Sequence, residues 1–103
     1  MISGLYGQNM SRYITLNVAN DTLIQIDLSA DAVNTSIKIV SGTWDTTIIA
    51  GTSWTFYIWY PSHDTVMTIY GNVNKFDCSD NQTKITGIDV SQNTALTDLY
   101  CRN

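Results

Sequence analysis

Serine, histidine and aspartate occur side by side in this sequence, as Ser62-His63-Asp64. These side chains can act as nucleophile, general base and orienting acid, provided that they converge in space from separate elements of a fold. Consecutive residues in a turn that begins with Pro61 cannot converge in this way, and His63 is the only histidine of the chain. We therefore expect a solvated turn here, with no catalytic residues and no enzymatic activity.

The residue types also argue against a metal site or a cofactor site. A zinc site needs closely spaced cysteine and histidine ligands, but the sequence contains no C-x-x-C pair. It also lacks the D-x-[DN]-x-[DN]-G run of a calcium-binding loop. Carboxylate pairs such as Asp77 with Asp80, or Asp27 with Asp31, are more simply explained as strand-surface and loop residues. The sequence thus predicts no metal and no cofactor.

Aromatic side chains are the residues best suited to recognition. Residues 54–60 form an aromatic run that predicts one strand, in which side chains alternate between two faces. One face, expected to point inward, carries Trp54, Phe56, Ile58 and Tyr60. This packing leaves Tyr57 and Trp59 as an exposed pair that could stack on sugar rings or anchor a protein partner, unless a neighbouring loop or repeat covers them. Trp44, which lies next to a glycine-containing loop, is a further candidate.

Three segments at the end of the chain repeat one pattern, apolar-x-x-apolar-x-apolar/Cys. They are residues 73–78, 85–90 and 96–101, and the first two are followed by Asn81 and Asn93. This pattern is the signature of leucine-rich repeats. The apolar positions recur every 11 to 12 residues and the two cysteines lie 23 residues apart, which indicates that two half-repeats form one coil of a solenoid with the apolar positions inside.

The repeat pattern also predicts structural roles for its recurring asparagine and cysteine positions. Asn81 and Asn93 are expected to satisfy backbone groups where the coil turns, because buried backbone groups need partners. Cys78 and Cys101 occupy the same inward position, which favours stacked, reduced and shielded thiols over the alternative, a disulfide. The positions between the inward residues point outward, and of these we take Asp77, Asp98 and Tyr100 as candidates for binding. Lys75, Ser79 and Arg102 share that surface.

Six short runs at roughly ten-residue spacing precede the repeats, which is typical of a β-sandwich. They are residues 13–18, 23–28, 37–40, 46–50, 54–60 and 65–70. Asn20-Asp21 is a turn signal, so the first two runs are expected to form a hairpin. No sustained 3.6-residue period occurs, and the sequence therefore predicts an all-β chain with no helix of any length.

Residues 67–81 and 87–101 closely resemble the cysteine-containing leucine-rich repeat proteins of gut-dwelling anaerobic bacteria, whose repeats are of the internalin J-like type. The sequence motif of that repeat type, LDVSxNTALTxLxC, is nearly complete here. In that family the repeats usually follow a β-sandwich that resembles PKD and immunoglobulin-like modules. Two departures are visible: Ser41-Gly42-Thr43-Trp44 replaces the W-G-D-G hallmark of PKD modules, and Gln82-Thr83-Lys84 lengthens the link after Asn81. The resemblance implies a surface or secreted binding protein.

We therefore predict three parts of the chain. They are a flexible lead-in over residues 1–10, a PKD- or immunoglobulin-like capping sandwich over residues 11–72, and the truncated first coil of a repeat array over residues 73–103. A coil with no next neighbour exposes a strand edge, so it is expected to fray or to self-associate through the open repeat end. We expect a non-enzymatic interaction module that caps the array and mediates protein binding or adhesion. The alternative is a carbohydrate-binding module that uses the exposed aromatics.

Charge and hydropathy exclude two classes of partner. The chain has five lysine and arginine residues against nine aspartate and glutamate residues, a net charge of −4, and the basic residues are scattered. No face can gather the positive charge that a phosphate backbone requires, so nucleic acid is not expected as a partner. No apolar stretch reaches the 18 residues or so that predict a membrane span. The first residues do not form a signal peptide, and an extracellular or cell-surface location would require a signal outside this chain.

Overall fold

The computed structural model of the chain describes residues 9–102. The lead-in predicted over residues 1–10 lies almost entirely outside this range. Within it the chain is all-β, which confirms the predicted class. The strands are β1 (Tyr13–Val18), β2 (Leu23–Ala30), β3 (Thr35–Ser41), β4 (Trp44–Ala50), β5 (Ile58–Pro61), β6 (Val66–Tyr70), β7 (Val73–Asp77), β8 (Ile85–Asp89) and β9 (Asp98–Tyr100), with one 3-10 turn at Gln82–Lys84.

The strands form two sheets that pack together in the manner of a small β-sandwich. One sheet has five strands in the order β4-β3-β6-β1-β8, and the other has four in the order β5-β2-β7-β9. Neighbouring strands are antiparallel except for β7 and β9, which are parallel.

The predicted hairpin of residues 13–18 and 23–28 is wrong, because β1 and β2 lie in different sheets. Each strand has one apolar face, and Ile14 on β1 and Ile24 on β2 are both fully buried. Two such faces bury each other when their strands lie in opposite sheets, whereas a hairpin would place them side by side. The predicted turn at Asn20-Asp21 is present, since Asp21 adopts a left-handed φ of 56°. It carries the chain from one sheet to the other.

The aromatic run of residues 54–60 is not one strand. Phe56 has a left-handed φ of 66°, which ends the extended conformation, so β5 begins only at Ile58. Phe56 is 78% exposed and Ile58 is 38% exposed, so neither points inward as predicted, while Tyr60 is buried. The run is apolar at nearly every position, and alternation therefore could not show which residues face the core.

One hydrophobic core lies between the sheets. Its fully buried members are Ile14, Leu16, Ile24, Ile26, Leu28, Ala30, Ile37, Ile39, Met67, Ile69, Val73 and Phe76, and the repeat residues Ile85, Ile88, Val90 and Leu96 pack against it while partly buried. The chain crosses from β6 in one sheet to β7 in the other at Gly71, whose φ is 134°. A Cβ there would lie 2.5 Å from Ile37 Cδ1, so the close crossing requires glycine.

The three repeat segments contribute strands to both sheets. The first and third, β7 and β9, pair in parallel with Phe76 opposite Leu99, an offset that equals the 23-residue spacing of the cysteines. The middle one, β8, pairs with β1 in the opposite sheet. Between β7 and β8 the chain makes tight turns at Asp80 and Gln82, which have left-handed φ values of 65° and 53°. The prediction that this arrangement begins a leucine-rich repeat solenoid stays a prediction.

Candidate functional site

The outer face of the four-stranded sheet carries a row of acidic and aromatic side chains. Asp27 on β2 lies opposite Asp77 on β7, which lies opposite Tyr100 on β9. Tyr57, just before β5, reaches Asp77 from the other side. Beside this row is a cleft of about 330 Å³, called here the tyrosine cleft, which is lined by Tyr57, Asp77, Ser79, Asp80, Tyr100 and Arg102.

Hydrogen bonds fix the floor of the tyrosine cleft. The Tyr57 hydroxyl donates to Asp77 Oδ2 over 2.6 Å, and the Ser79 backbone N–H donates to Asp77 Oδ1 over 2.9 Å. The Arg102 backbone N–H donates to Ser79 Oγ over 2.9 Å, which joins the segments after β7 and β9. The rings of Tyr57 and Tyr100 remain 44% and 46% exposed, so both present open surface to a ligand.

The two carboxylates of the row have opposite pKa shifts. Burial opposes ionisation of Asp77, but the hydrogen bonds from Tyr57 and Ser79 and the nearby Arg102 charge outweigh it and hold its pKa below the ordinary value. Burial raises the pKa of Asp27, and the charge of Asp77 adds to that shift. The hydrogen bond to Asp77 raises the pKa of Tyr57 to about 12. At neutral pH the cleft therefore contains an ionised Asp77 and a protonated Tyr57.

The segment before β5 holds Tyr57 over the sheet. The Thr55 backbone N–H donates to the Leu28 carbonyl over 2.8 Å, and the Thr55 hydroxyl lies 3.3 Å from Asp27 Oδ1. This segment covers Asp27 and leaves it only 7% exposed. The half-buried Trp54 ring packs against Tyr100 with centroids 6.2 Å apart and planes tilted by 47°.

The predicted aromatic candidates do not form one surface. Trp59 lies on β5 of the four-stranded sheet, opposite Gln25 on β2. The ammonium of Lys84 lies over its ring, 5.5 Å from the centroid. Trp44 lies on β4 of the other sheet, where its half-buried ring stacks on His63 at a centroid distance of 6.3 Å. Of the three, Tyr57 lines the tyrosine cleft. Asp98 is half-buried opposite Lys75 on β7.

The serine, histidine and aspartate of the turn after β5 are engaged separately. Ser62 is buried, and its hydroxyl donates to the Ala19 carbonyl over 2.6 Å while accepting from the Thr22 N–H. The His63 ring stacks on Trp44. Across residues 9–102, no group of three or more histidine, cysteine, aspartate or glutamate side chains is placed to hold a metal ion.

Both repeat asparagines are buried and bonded to backbone. Asn81 Nδ2 donates to the carbonyls of Gln25 and Cys78, each over 2.8 Å, and its Oδ1 accepts the Gln25 N–H over 2.7 Å. Asn93 Nδ2 donates to the Val73 carbonyl over 3.0 Å, and its Oδ1 accepts from Ala95. Asn81 thereby ties the turn after β7 to β2, and Asn93 ties the turn after β8 to the start of β7.

The cysteines are free and adjacent, with their Sγ atoms 3.7 Å apart. Cys78 is buried, and burial together with the neighbouring Cys101 raises its pKa to about 12. Cys101 is exposed, contrary to the expectation that both thiols are shielded. The reason is that Cys101 follows β9, the last strand of its sheet, so no further strand covers it within the described chain.

A second cavity, of about 210 Å³, lies between the two sheets at this same side. Its lining includes Cys78, Asn81, Ile85, Gly87, Ile88 and Cys101. The last strands of the two sheets, β8 and β9, flank it. We call this cavity with its two strand edges the open end.

Several residues of the tyrosine cleft were not among the predicted binding residues. Asp80 and Arg102 line it, and Asp27 adjoins it. The 23-residue spacing could have revealed part of it, because that offset places Asp77 beside Tyr100 and Ser79 near Arg102. Asp27 could have been noticed as a carboxylate between the inward residues Ile26 and Leu28.

Comparison with known proteins gives no relative for this chain: no family, no curated protein and no solved structure matches it. No helix in the part of the chain that the structure describes is long and apolar enough to cross a membrane.

Proposed function

We propose that this chain is a non-enzymatic interaction module of a surface or secreted bacterial protein. In this proposal a PKD- or immunoglobulin-like sandwich covers the end of a leucine-rich repeat array, and residues 73–103 are the first coil of that array. The observation that carries the proposal is the open end, where both sheets terminate side by side in strands of the repeat pattern.

The open end has the properties of a surface that further coils would cover. Backbone groups on the outer edge of a last strand are free to pair with another strand, and here β8 and β9 offer two such edges around a cavity whose lining is both apolar, as at Ile85 and Ile88, and polar, as at Asn81 and Thr86. Leu99 is 39% exposed and Cys101 is exposed, although both hold inward positions of the repeat. A coil that pairs with β8 and β9 would bury these side chains, and stacking on neighbours is the main source of stability in repeat proteins.

The proposal is tested by adding one coil to the full chain. A second copy of residues 81–103 placed after Asn103 continues the repeat in phase. We expect the urea midpoint of unfolding to rise and Cys101 to become protected from thiol reagents. The matched control carries the same added coil with serine at its five inward apolar positions, and it should give neither effect. An apolar coil that adds no more stability than the serine coil would contradict the proposal.

The alternative, a carbohydrate-binding module, is not supported in its predicted form. Trp44 lies on the other sheet from Trp59, and Lys84 lies over the Trp59 ring, so these side chains cannot act as one stacking platform with Tyr57. What favours saccharide binding is the tyrosine cleft.

A further inference from the structure

The tyrosine cleft carries an inference that goes beyond the proposed capping role and does not depend on it. We infer that the cleft binds a segment of a neutral saccharide, with its sugar ring held between Tyr57 and Tyr100 and its hydroxyls bonded by Asp77 and Arg102. The cleft combines two exposed tyrosines with two carboxylates and a guanidinium.

The placement of the rings suits a flat ligand. Asp77 lies between the two tyrosines, bonded to the hydroxyl of Tyr57 on one side and opposite Tyr100 in the strand register on the other. The C–H faces of a sugar ring are apolar and can pack on aromatic rings, and the Tyr57 hydroxyl, which is bonded to Asp77, fixes one of these rings in place. At about 330 Å³, the cleft falls near the lower bound of about 300–1,000 Å³ for small-molecule sites, so it suits a short segment of a saccharide.

The polar groups of the tyrosine cleft are complementary to sugar hydroxyls, each of which both donates and accepts hydrogen bonds. Asp77 is an ionised acceptor, and Asp80 adds an exposed carboxylate at the same end of the cleft. The Arg102 guanidinium supplies donors only. Ser79 is buried, its Oγ accepts the Arg102 backbone N–H, and its hydroxyl bonds Asp77, so Ser79 orders the cleft and is not a donor to the ligand. Adjacent hydroxyls on one sugar can thus bond a carboxylate and a guanidinium together, and bonds to charged groups are the stronger kind.

Charge selects a neutral saccharide over an ionic ligand. Asp77 and Asp80 give the cleft two carboxylates against one guanidinium, which disfavours phosphates and acidic sugars. Arg102 in turn disfavours a cationic ligand, such as a lysine side chain, that the carboxylates and aromatic rings alone would attract. A ligand rich in hydroxyls and without formal charge meets neither penalty.

The site is also ordered before a ligand arrives. The hydrogen bond to Asp77 orients Tyr57, the Thr55–Leu28 bond holds the segment that carries it, and Trp54 packs against Tyr100. A ligand therefore does not have to order these side chains, which lowers the entropic cost of binding.

The test is an NMR titration of the full chain with four neutral trisaccharides, cellotriose, maltotriose, mannotriose and xylotriose, and with trigalacturonic acid as the charged comparison. We expect at least one neutral sugar to shift the amide signals of Asp77, Ser79 and Tyr100 in a saturable manner, with weaker or no effect from the acidic sugar. Tyr100→Ala and Asp77→Asn should each weaken binding at least about tenfold, since a few aromatic and charged groups at the centre of a site dominate binding energy.

Matched variants separate loss of the site from loss of the fold. Tyr100→Phe keeps the ring and should retain binding, and Trp44→Ala and Trp59→Ala, outside the cleft, should leave it unchanged. Each variant's unfolding midpoint is measured alongside. No saturable shift with any neutral sugar, tighter binding of trigalacturonic acid, or equal binding by a folded Tyr100→Ala would each overturn the inference. The added-coil experiment measures stability and the protection of Cys101 and involves no saccharide, so the capping role and the saccharide site can fail independently.

Discussion

The two ends of the sandwich differ in how their outermost strands are treated. At one end the sheets terminate in β4 and β5, and residues 51–57 run between these strands along the edge of β2, with the Ala30 N–H bonded to the Gly51 carbonyl. β5 contains Pro61, and a proline on an edge strand discourages pairing with other chains. At the open end, Leu99 and Cys101 are exposed, and a cavity lies between the last strands of the two sheets.

The difference shows that an edge can be closed by the chain itself or left as a surface for a partner. The end formed by β4 and β5 contains turns and a proline, which resist extension by further strands. The open end contains a repeating pattern and a parallel strand pair, which in our proposal further coils extend.

The strongest test compares a residue in the middle of the sandwich with its partner at the open end. Phe76 is fully buried on β7, and Leu99 lies opposite it on β9 with 39% of its surface exposed. Phe76→Ala should cost about 3–5 kcal/mol of unfolding free energy, because it removes a large core side chain. Leu99→Ala should cost about 1 kcal/mol, because much of its apolar surface already meets water. Urea unfolding measures both, and similar losses would mean that the open end is as well packed as the core.

A smaller effect is expected from the asparagines that tie the repeat turns to the sandwich. Asn81→Ala and Asn93→Ala should each lower the unfolding free energy by about 1–3 kcal/mol, since each leaves buried backbone groups unpaired. Asn81 should show the larger loss because it bonds both backbone groups of Gln25 and the Cys78 carbonyl. Gln92→Ala, next to Asn93 but exposed, is the control and should change stability by less than about 0.5 kcal/mol. An unchanged midpoint for Asn81→Ala would show that its turn contributes nothing to the fold.

The most subtle test uses the two thiols. Only the thiolate reacts with Ellman's reagent, and burial raises the pKa of Cys78 to about 12, so at pH 8 we expect the exposed Cys101 to react quickly and Cys78 only after denaturation. Because the folded pKa of Cys78 lies above its ordinary value of 9.0, its contribution to stability is present below pH 9 and is lost as the pH rises toward 12.

Cys101→Ser is the control for this test, and it should remove the fast-reacting thiol without exposing the slow one. Equal reaction of both thiols in the folded protein would show that the open end exposes Cys78 as well. A mass 2 Da below that of the reduced chain would show a disulfide and would contradict the expectation of free thiols.

The sequence allowed most strands to be located but not their pairing. Alternation in residues 13–18 and 23–28 identified the buried faces of β1 and β2 correctly, because burial of every second residue leaves a local trace. It could not show that β1 pairs with β6 and β8, since strand pairing depends on residues 40 or more positions away. Residues 54–60 gave no contrast between faces, and nothing local predicted the left-handed conformation of Phe56.

The candidate site was predictable only in parts. The repeat pattern places Asp77 and Tyr100 on the outer face, and the aromatic run includes Tyr57. Their meeting depends on the turn at Phe56, which directs Tyr57 toward Asp77. Because that turn and the pairing of β2 with β7 are both non-local outcomes, the sequence alone could not assemble the tyrosine cleft from its residues.

The strand order also bears on how the chain reaches its native state. Among the strands of residues 9–102, only β3 pairs with its immediate successor in the chain, β4, through the turn at Gly42. Every other ladder joins strands that are distant in sequence, and such pairings are slow to form because a long loop must close first. During synthesis, β1 lacks both of its neighbours until β6 and β8 have emerged. We therefore expect the β3–β4 hairpin to form early and the two sheets to assemble together and late, once β8 and β9 have been synthesised.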